Sequence, residues 1–211
     1  YCINTADDYY FFVENNNKKP YKTSTIILTN NIEITNQVQG VGMFKGTFDG
    51  QGHTISYSAT DRELSKENNI SVFAFNIGYG GVLENTKVQI NDAKLYVGDN
   101  DYVSTIFDGN DGSIKGLSVT GNITLVCDES TKKWGSIGGG DGKLEDCEIS
   151  INYNLESPMS SDEIAEKIID QTTLCTLCQF GNRDSTSNIK YVNCISHGSY
   201  SSKISDVAKS M

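Results

Sequence analysis

GVLENTKV (Gly81–Val88), GSIKGLSV (Gly112–Val119), GKLEDCEI (Gly142–Ile149) and SNIKYVNC (Ser187–Cys194) share one pattern. A turn residue opens each segment, and an apolar residue follows two places later: Leu83, Ile114, Leu144 and Ile189. These four lie 31, 30 and 45 residues apart. A second matched place holds Thr86, Leu117, Cys147 and Val192, and a third holds Val88, Val119, Ile149 and Cys194. Period-two alternation over so few residues reads as a short strand. Another short strand and a Gly-rich turn precede each segment: Val72–Phe75, Ser104–Phe107, Gly135–Gly138 and Leu174–Cys178.

A unit of two or three short strands cannot bury its apolar row alone. Stacking like rows about 4.8 Å apart solves this and predicts two ladders, Leu83/Ile114/Leu144/Ile189 and Val88/Val119/Ile149/Cys194. A repeat of this size exceeds the hexapeptide unit of left-handed solenoids. The expected fold is therefore all-β, a right-handed parallel β-helix of about five coils. An antiparallel sandwich also supplies short strands, but it gives no reason for one register in four successive segments. The long last interval contains Ser160–Asp170, a stretch with an N-cap serine and acids in its first turn. It reads as an inserted helix of residues 160–170, and an insertion of about fifteen residues explains the longer spacing.

The N-terminal segment reads as an amphipathic helix from Thr5 to Asn15. Thr5 is the N-cap, Asp8 completes a capping box, and Tyr9, Phe12 and Val13 form one face. Pro20 follows the Asn15–Lys19 run that ends it. Strands follow at Thr25–Thr29 and Ile32–Ile34, then Phe44–Ile55 with Gly46, Gly50 and Gly52 at turn spacing. A stack of strands leaves open ends that need covering. The helix is the expected N-terminal cap, residues 1–24, before a stacked region of residues 25–203. The tail Ile204–Met211 is the candidate cover for the other end.

The 211 residues carry 17 Lys+Arg against 27 Asp+Glu, a net charge of −10, with a mean hydropathy of −0.37. This size suits one ordinary domain, and the negative charge disfavours nucleic acid and anionic membrane as partners. No apolar run is long enough for a transmembrane helix. The opening Tyr1 suggests a processed form or an excised domain. Twenty glycines against two prolines, with many asparagines, suit tight turns needing positive φ.

FKGTFDGQGHTI (Phe44–Ile55) resembles the F-x-G-x-F-D-G-x-G-H-T-I segment of bacterial surface proteins with GLUG repeats, adhesin-like and IgA-protease-type proteins among them. The opening, Ile3–Asp8 with Phe12, Val13 and Thr25–Ile32, resembles their lead-in. SVFAFNIGYGGVLEN (Ser71–Asn85) is similar to their GLFG…GGxIxN repeat, with Val72–Phe73 for Leu-Phe and Leu83 with Asn85 for Ile-x-Asn. The likeness covers about the first 120 residues and loosens afterwards. It implies an extracellular, β-helical module that supports other domains. No H-E-x-x-H motif is present, so protease activity does not carry over.

Catalytic, cofactor and metal residues are all expected to be none. His53 and His197 are the two histidines, too few for a His-rich metal site. Each reads either as a general base or as a structural residue, His53 with its ring bonded to nearby backbone. Cys175 and Cys178 form a lone C-x-x-C without a partner pair for zinc or a βαβ context for redox work. The six cysteines permit up to three disulfides, yet Cys147 and Cys194 fall where other repeats have apolar residues. Acidic turns at Asp99–Asp101, Asp108–Asp111 and Asp141 offer oxygen ligands for calcium, without EF-hand or RTX spacing. Glu84, Lys115, Glu145 and Lys190 align as an alternating-charge ladder, and Arg62 and Arg183 are assigned to loops. Asn69 and Asn122 open glycosylation sequons, relevant only in a eukaryotic secretory setting. Tyr9, Tyr10, Tyr79, Tyr96, Tyr102 and Tyr153 are candidate stacking platforms for glycans.

The expected function is a non-catalytic binding or structural module of a secreted or cell-surface adhesin-like protein. Its partner would be a protein or glycan on an exposed face, or a second copy, with no nucleic acid and no membrane insertion. The alternatives are a polysaccharide lyase or hydrolase on the same fold and a self-assembling filament subunit.

Overall fold

The computed structural model describes residues 1–35, 41–58, 61–63, 75–98, 102–127, 133–137, 140–156, 173–179 and 190–202. The expected helix at residues 160–170 and the tail at 204–211 lie outside these. Among the described residues the chain is mostly β, with one helix and three sheets.

The first sheet orders Cys2–Ile3, Thr25–Leu28, Thr47–Asp49, Val82–Glu84, Ser113–Lys115, Lys143–Glu145 and Lys190–Val192. The second orders Ile32–Ile34, Thr54–Tyr57, Lys87–Gly98, Ser118–Cys127, Glu148–Glu156 and Ile195–His197. Asp61–Glu63 and Tyr200–Ser202 pair with two of these long strands. The third orders Val41–Phe44, Phe75–Ile77, Tyr102–Asn110, Lys133–Ile137 and Thr173–Gln179. From Thr25 the chain visits the sheets in a fixed rotation, first, second, third, and returns to the first one strand further on. Adjacent strands within each sheet run parallel, as the first and last members of the three sheets illustrate. Arg62, expected in a loop, lies in a strand paired with Lys87–Gly98.

The interior is built of apolar columns. Ile26, Phe48, Leu83, Ile114 and Leu144 pair in line, and each is fully buried. The expected ladder thus holds at three positions and extends two strands upstream, through the quoted Phe44–Ile55 motif. Ile32, Ile55, Val88, Val119 and Ile149 make a second buried column. Truncating one such residue, as in Leu83→Ala, removes packing on both sides of it and costs about 2–5 kcal/mol.

The fourth segment enters two residues out of the expected register. Leu144 pairs with Tyr191, not Ile189, and Ile149 pairs with Ser196, not Cys194. The charged column accordingly ends on Val192 rather than Lys190, which pairs with Lys143. The cause is the turn between the first and second sheets. One left-handed residue makes that corner in each of the last four circuits: Asn85 (φ 49°), Gly116 (φ 60°), Asp146 (φ 53°) and Asn193 (φ 51°). Asparagine, aspartate and glycine tolerate this conformation. Aligning Asn193 with Asp146 sets the observed 47-residue offset, and Asn193 Nδ2 donates to Asp146 Oδ1 at 3.2 Å.

The glycines that open the repeats have a steric reason. A Cβ on Gly112 would lie 2.3 Å from the Gly81 carbonyl oxygen, and one on Gly142 would lie 2.5 Å from that of Gly112. These corners stack backbone on backbone.

The helix spans Ala6–Lys18, and the capping box is formed: Asp8 N–H donates to Thr5 Oγ1 (3.2 Å) and Thr5 N–H to Asp8 Oδ2 (2.9 Å). It runs past Asn15 because tertiary contacts hold its polar end. Buried Asn16 donates to the Gly42 carbonyl and accepts from Tyr21 N–H, while Asn17 Oδ1 accepts from Gly42 N–H. Phe12 enters the end of the interior, with ring centroids 5.7 Å from Phe44, 5.9 Å from Phe48 and 5.9 Å from Tyr21.

Candidate functional site

The sheets differ in breadth. Strands of the first sheet are mostly three residues long, whereas Lys87–Gly98, Ser118–Cys127 and Glu148–Glu156 have 12, 10 and 9. The second sheet therefore carries the broadest outer face. Its side chains alternate across the sheet, so every second residue faces away from the core.

Most of those outward positions are polar, and they are in register. One column reads Glu33, Ser56, Gln89, Thr120, Ser150 and His197. Another reads Lys94, Thr124, Asn154 and Ser201, with Ser201 Oγ donating to Asn154 Oδ1 (3.2 Å). Between them runs a hydrogen-bonded ladder. Asn122 Nδ2 donates to Asp92 Oδ1 (3.0 Å), Asn152 Nδ2 to Asn122 Oδ1 (3.0 Å), and Ser199 Oγ to Asn152 Oδ1 (2.8 Å). Each member orients the next, so the remaining donors and acceptors stand in fixed rows at the strand spacing.

Local backbone makes room for this ladder. Asp92 is left-handed (φ 51°) at a bulge in its strand, and Gly121 (φ 147°) and Gly198 (φ 155°) occupy the corresponding bends. A Cβ on Gly121 would lie 2.2 Å from the Ile90 carbonyl oxygen, and one on Gly198 would lie 1.9 Å from that of Ile151. The bend carries Asn122 and Asn152 outward while Ile123 and Tyr153 return to the core.

Amides and hydroxyls donate and accept hydrogen bonds but do not titrate near neutrality, so these rows suit recognition rather than proton transfer. Two acids of the first sheet, Glu145 and Asp49, are held ionised. A hydrogen bond from Lys143, with its charge and that of Lys115, lowers the Glu145 pKa. Burial raises that of Asp49, but bonds from Gln51 and Asn85 outweigh it and bring it below the ordinary carboxylate value. Neither is poised as a general acid.

The sequence-predicted candidates distribute as follows. Backbone bonds at His53 secure the turn, its N–H donating to Gly50 O (2.8 Å) and its carbonyl accepting from Lys87 N–H (3.0 Å). No ring bond to a described residue accompanies them. His197 Nε2 lies 3.5 Å from Glu148 Oε1 on the exposed face. The stacked charges Glu84, Lys115 and Glu145 are in register. Asp111 Oδ1 accepts from Asp141 N–H, which makes those acids turn-builders, and no group of three metal-ligating side chains occurs among the described residues. Tyr9 and Tyr153 are core residues, not platforms, whereas Tyr79 is 86% exposed at a corner. Cys175 lies in a third-sheet strand, paired with Gly135. Asp99–Asp101, Asn69 and Arg183 fall outside the described residues.

The polar rows of the second sheet were not singled out from sequence. Their signal was present as a recurrence of Asn122 and Asn152 at the repeat spacing. Comparison with protein families, with curated proteins and with solved structures finds no match.

Proposed function

We propose that this chain is a right-handed parallel β-helix, each circuit one coil, and that it serves as a non-catalytic binding module presenting its broad second sheet to a neutral glycan chain. The rotation of the strands through three sheets supports the fold, and crossovers between parallel strands are right-handed by strong preference. The ordered rows of Gln89, Thr120, Ser150, Asn122 and Asn152 carry the functional reading. A polyhydroxylated chain satisfies fixed hydroxyls and amides along its length, and a net charge of −10 favours a neutral over an acidic polymer. The resemblance to GLUG-repeat surface proteins agrees with a secreted or cell-surface setting.

The test is titration calorimetry of the chain against neutral and acidic polysaccharides, with product analysis of the same mixtures. Binding without cleavage is expected. The triple variant Gln89→Ala, Thr120→Ala, Ser150→Ala should lose about tenfold or more in affinity, from three net hydrogen bonds. Release of oligosaccharides would instead support the enzyme reading. Binding that the triple variant leaves unchanged would remove the second sheet from the account.

A second reading has its own observation. Tyr191, in line with buried Leu144, is 40% exposed, and Lys190–Val192 is the outermost strand of the first sheet among the described residues. A second copy could pair there end to end, and the helix at the opposite end would stop growth at a dimer. Sedimentation across a concentration series distinguishes dimer, filament and monomer.

A further inference from the structure

The observed register of the last repeat stacks Cys194 directly on Cys147. The pairs Glu145–Val192 and Glu148–Ile195 bracket this position. The backbone bonds from Asp146 N–H to Val192 O (3.0 Å) and from Ile195 N–H to Cys147 O (2.9 Å) close it on either side. Stacked residues on neighbouring parallel strands have Cα atoms about 4.8 Å apart, within the range of about 4.4–6.8 Å that a disulfide spans.

The side chains agree with the backbone. Cys147 Sγ donates to Glu145 O (3.2 Å), and Cys194 Sγ donates to Val192 O (3.4 Å). Each thiol curls over the carbonyl two residues earlier, so both project the same way from successive circuits. Cys147 is buried, and Cys194 is half-buried against the core. Burial pushes the Cys147 thiol up to about 11; backbone hydrogen bonds at Leu117 and Glu145 oppose this, and the adjacent Cys194 thiol adds to it.

We propose that Cys147 and Cys194 are a disulfide-forming pair that locks the terminal circuit to the preceding one, by exchange with a small-molecule disulfide such as oxidised glutathione. Cys194, the more accessible thiol, gives its proton to solvent, and its sulfur attacks one sulfur of the oxidant. The oxidant's S–S bond breaks, and one thiolate leaves with the electron pair. Cys147 then loses its proton and attacks the Cys194 sulfur, expelling the second thiolate. Two protein thiols are oxidised to one disulfide, the oxidant is reduced to two thiols, and the two protons end on those thiols.

The link acts at the last strand of the first sheet among the described residues. Among the described residues Lys190–Val192 has a neighbouring strand on one side only, and all three residues are exposed. A covalent tie from residue 194 to buried residue 147 removes the freedom of that circuit to peel away. This inference is independent of which ligand the outer face takes.

The full chain, reduced, desalted and equilibrated with oxidised glutathione, tests it. Peptide mass spectrometry without reductant should recover the Cys147 and Cys194 peptides joined, lighter by two hydrogens, in most molecules. Amide exchange at Asp146 and Ile195 should slow by roughly tenfold or more on oxidation. Both Cys194→Ala and the volume-conserving Cys147→Val should abolish the joined peptide and the slowing. Unchanged exchange in Thr25–Leu28 would report that each variant is folded. Oxidation that leaves glutathione on either cysteine, joins either one to another cysteine, or joins the pair without slowing exchange would overturn the proposal.

Discussion

The two ends of the stack are held by different means. At the N-terminal end, Phe12 inserts between Phe44, Phe48 and Tyr21, Asn16 and Asn17 grip the backbone of Gly42, and Cys2–Ile3 adds a strand beside Thr25–Leu28. At the C-terminal end, Tyr191 continues the column of Leu144 yet stays 40% exposed. The inward positions are geometrically equivalent, but an inward residue is buried only when something closes the column beyond it. Burial of apolar area contributes about 25 cal/mol per Å², so a partly uncovered position contributes less than a covered one.

The largest test of this contrast is Phe12→Ala. Removing a fully packed ring from the covered end should cost about 3–5 kcal/mol, read as a lower urea midpoint. Tyr191→Ala at the other end should shift the midpoint far less. If the two truncations proved equal, the difference between the ends would be illusory.

Gly121→Ala probes the middle of the second sheet. The added methyl would meet the Ile90 carbonyl oxygen at 2.2 Å, with φ already at +147°. A loss of about 1–3 kcal/mol is expected in the same assay. The bend that projects Asn122 should also be disturbed, so under the proposed function affinity for a neutral glycan should fall together with stability.

Thr5→Ala removes the side-chain acceptor at the helix N-cap and should cost about 1 kcal/mol in thermal or urea unfolding. Its partner Asp8 adds a pH signature. Hydrogen bonds from the backbone N–H of Asn4, the Thr5 hydroxyl and the backbone N–H of Thr5 hold the carboxyl below its usual 3.8. A carboxyl depressed in the folded state stabilises above its unfolded pKa, and that contribution is lost as pH falls through the folded value. The melting difference between the natural chain and Asp8→Asn should therefore be fullest near neutrality, begin to shrink near pH 3.8 and vanish at still lower pH. A gap that persisted in strong acid would point to packing rather than charge.

The smallest effect is expected at Ile195→Lys. The side chain is already 62% exposed, so stability should change by no more than about 0.5 kcal/mol. A larger loss would mean that something covers the outer face beside Glu148.

Much of this architecture can be read without coordinates. The repeats of Leu83, Ile114 and Leu144 recur at near-constant spacing because each circuit must return the chain to the same side of one column. The capping box at Thr5 and Asp8 is legible because it is a contact within four residues. The opening glycines recur because stacked backbone leaves no room for a Cβ. The register of the last repeat was misread from apolar identity. Ile189, Tyr191 and Val192 are interchangeable on that criterion, whereas the left-handed corner, where Asn193 answers Asn85 and Asp146, is not. The candidate binding face is less legible still: the sequence offers Tyr9 and Tyr153 as stacking platforms, whereas Asn122 reads only as the start of a glycosylation sequon and Asn152 carries no motif.

Local chemistry and periodicity in the chain thus determined the strand rows, the helix and its cap, and the places where only glycine fits. The tertiary structure alone decided the 47-residue step onto the last circuit, the breadth of the second sheet and the stacking of Cys194 on Cys147. Those depend on hydrogen bonds between residues tens of positions apart. Such bonds select among locally equivalent strand alignments, and nothing within a single repeat distinguishes them.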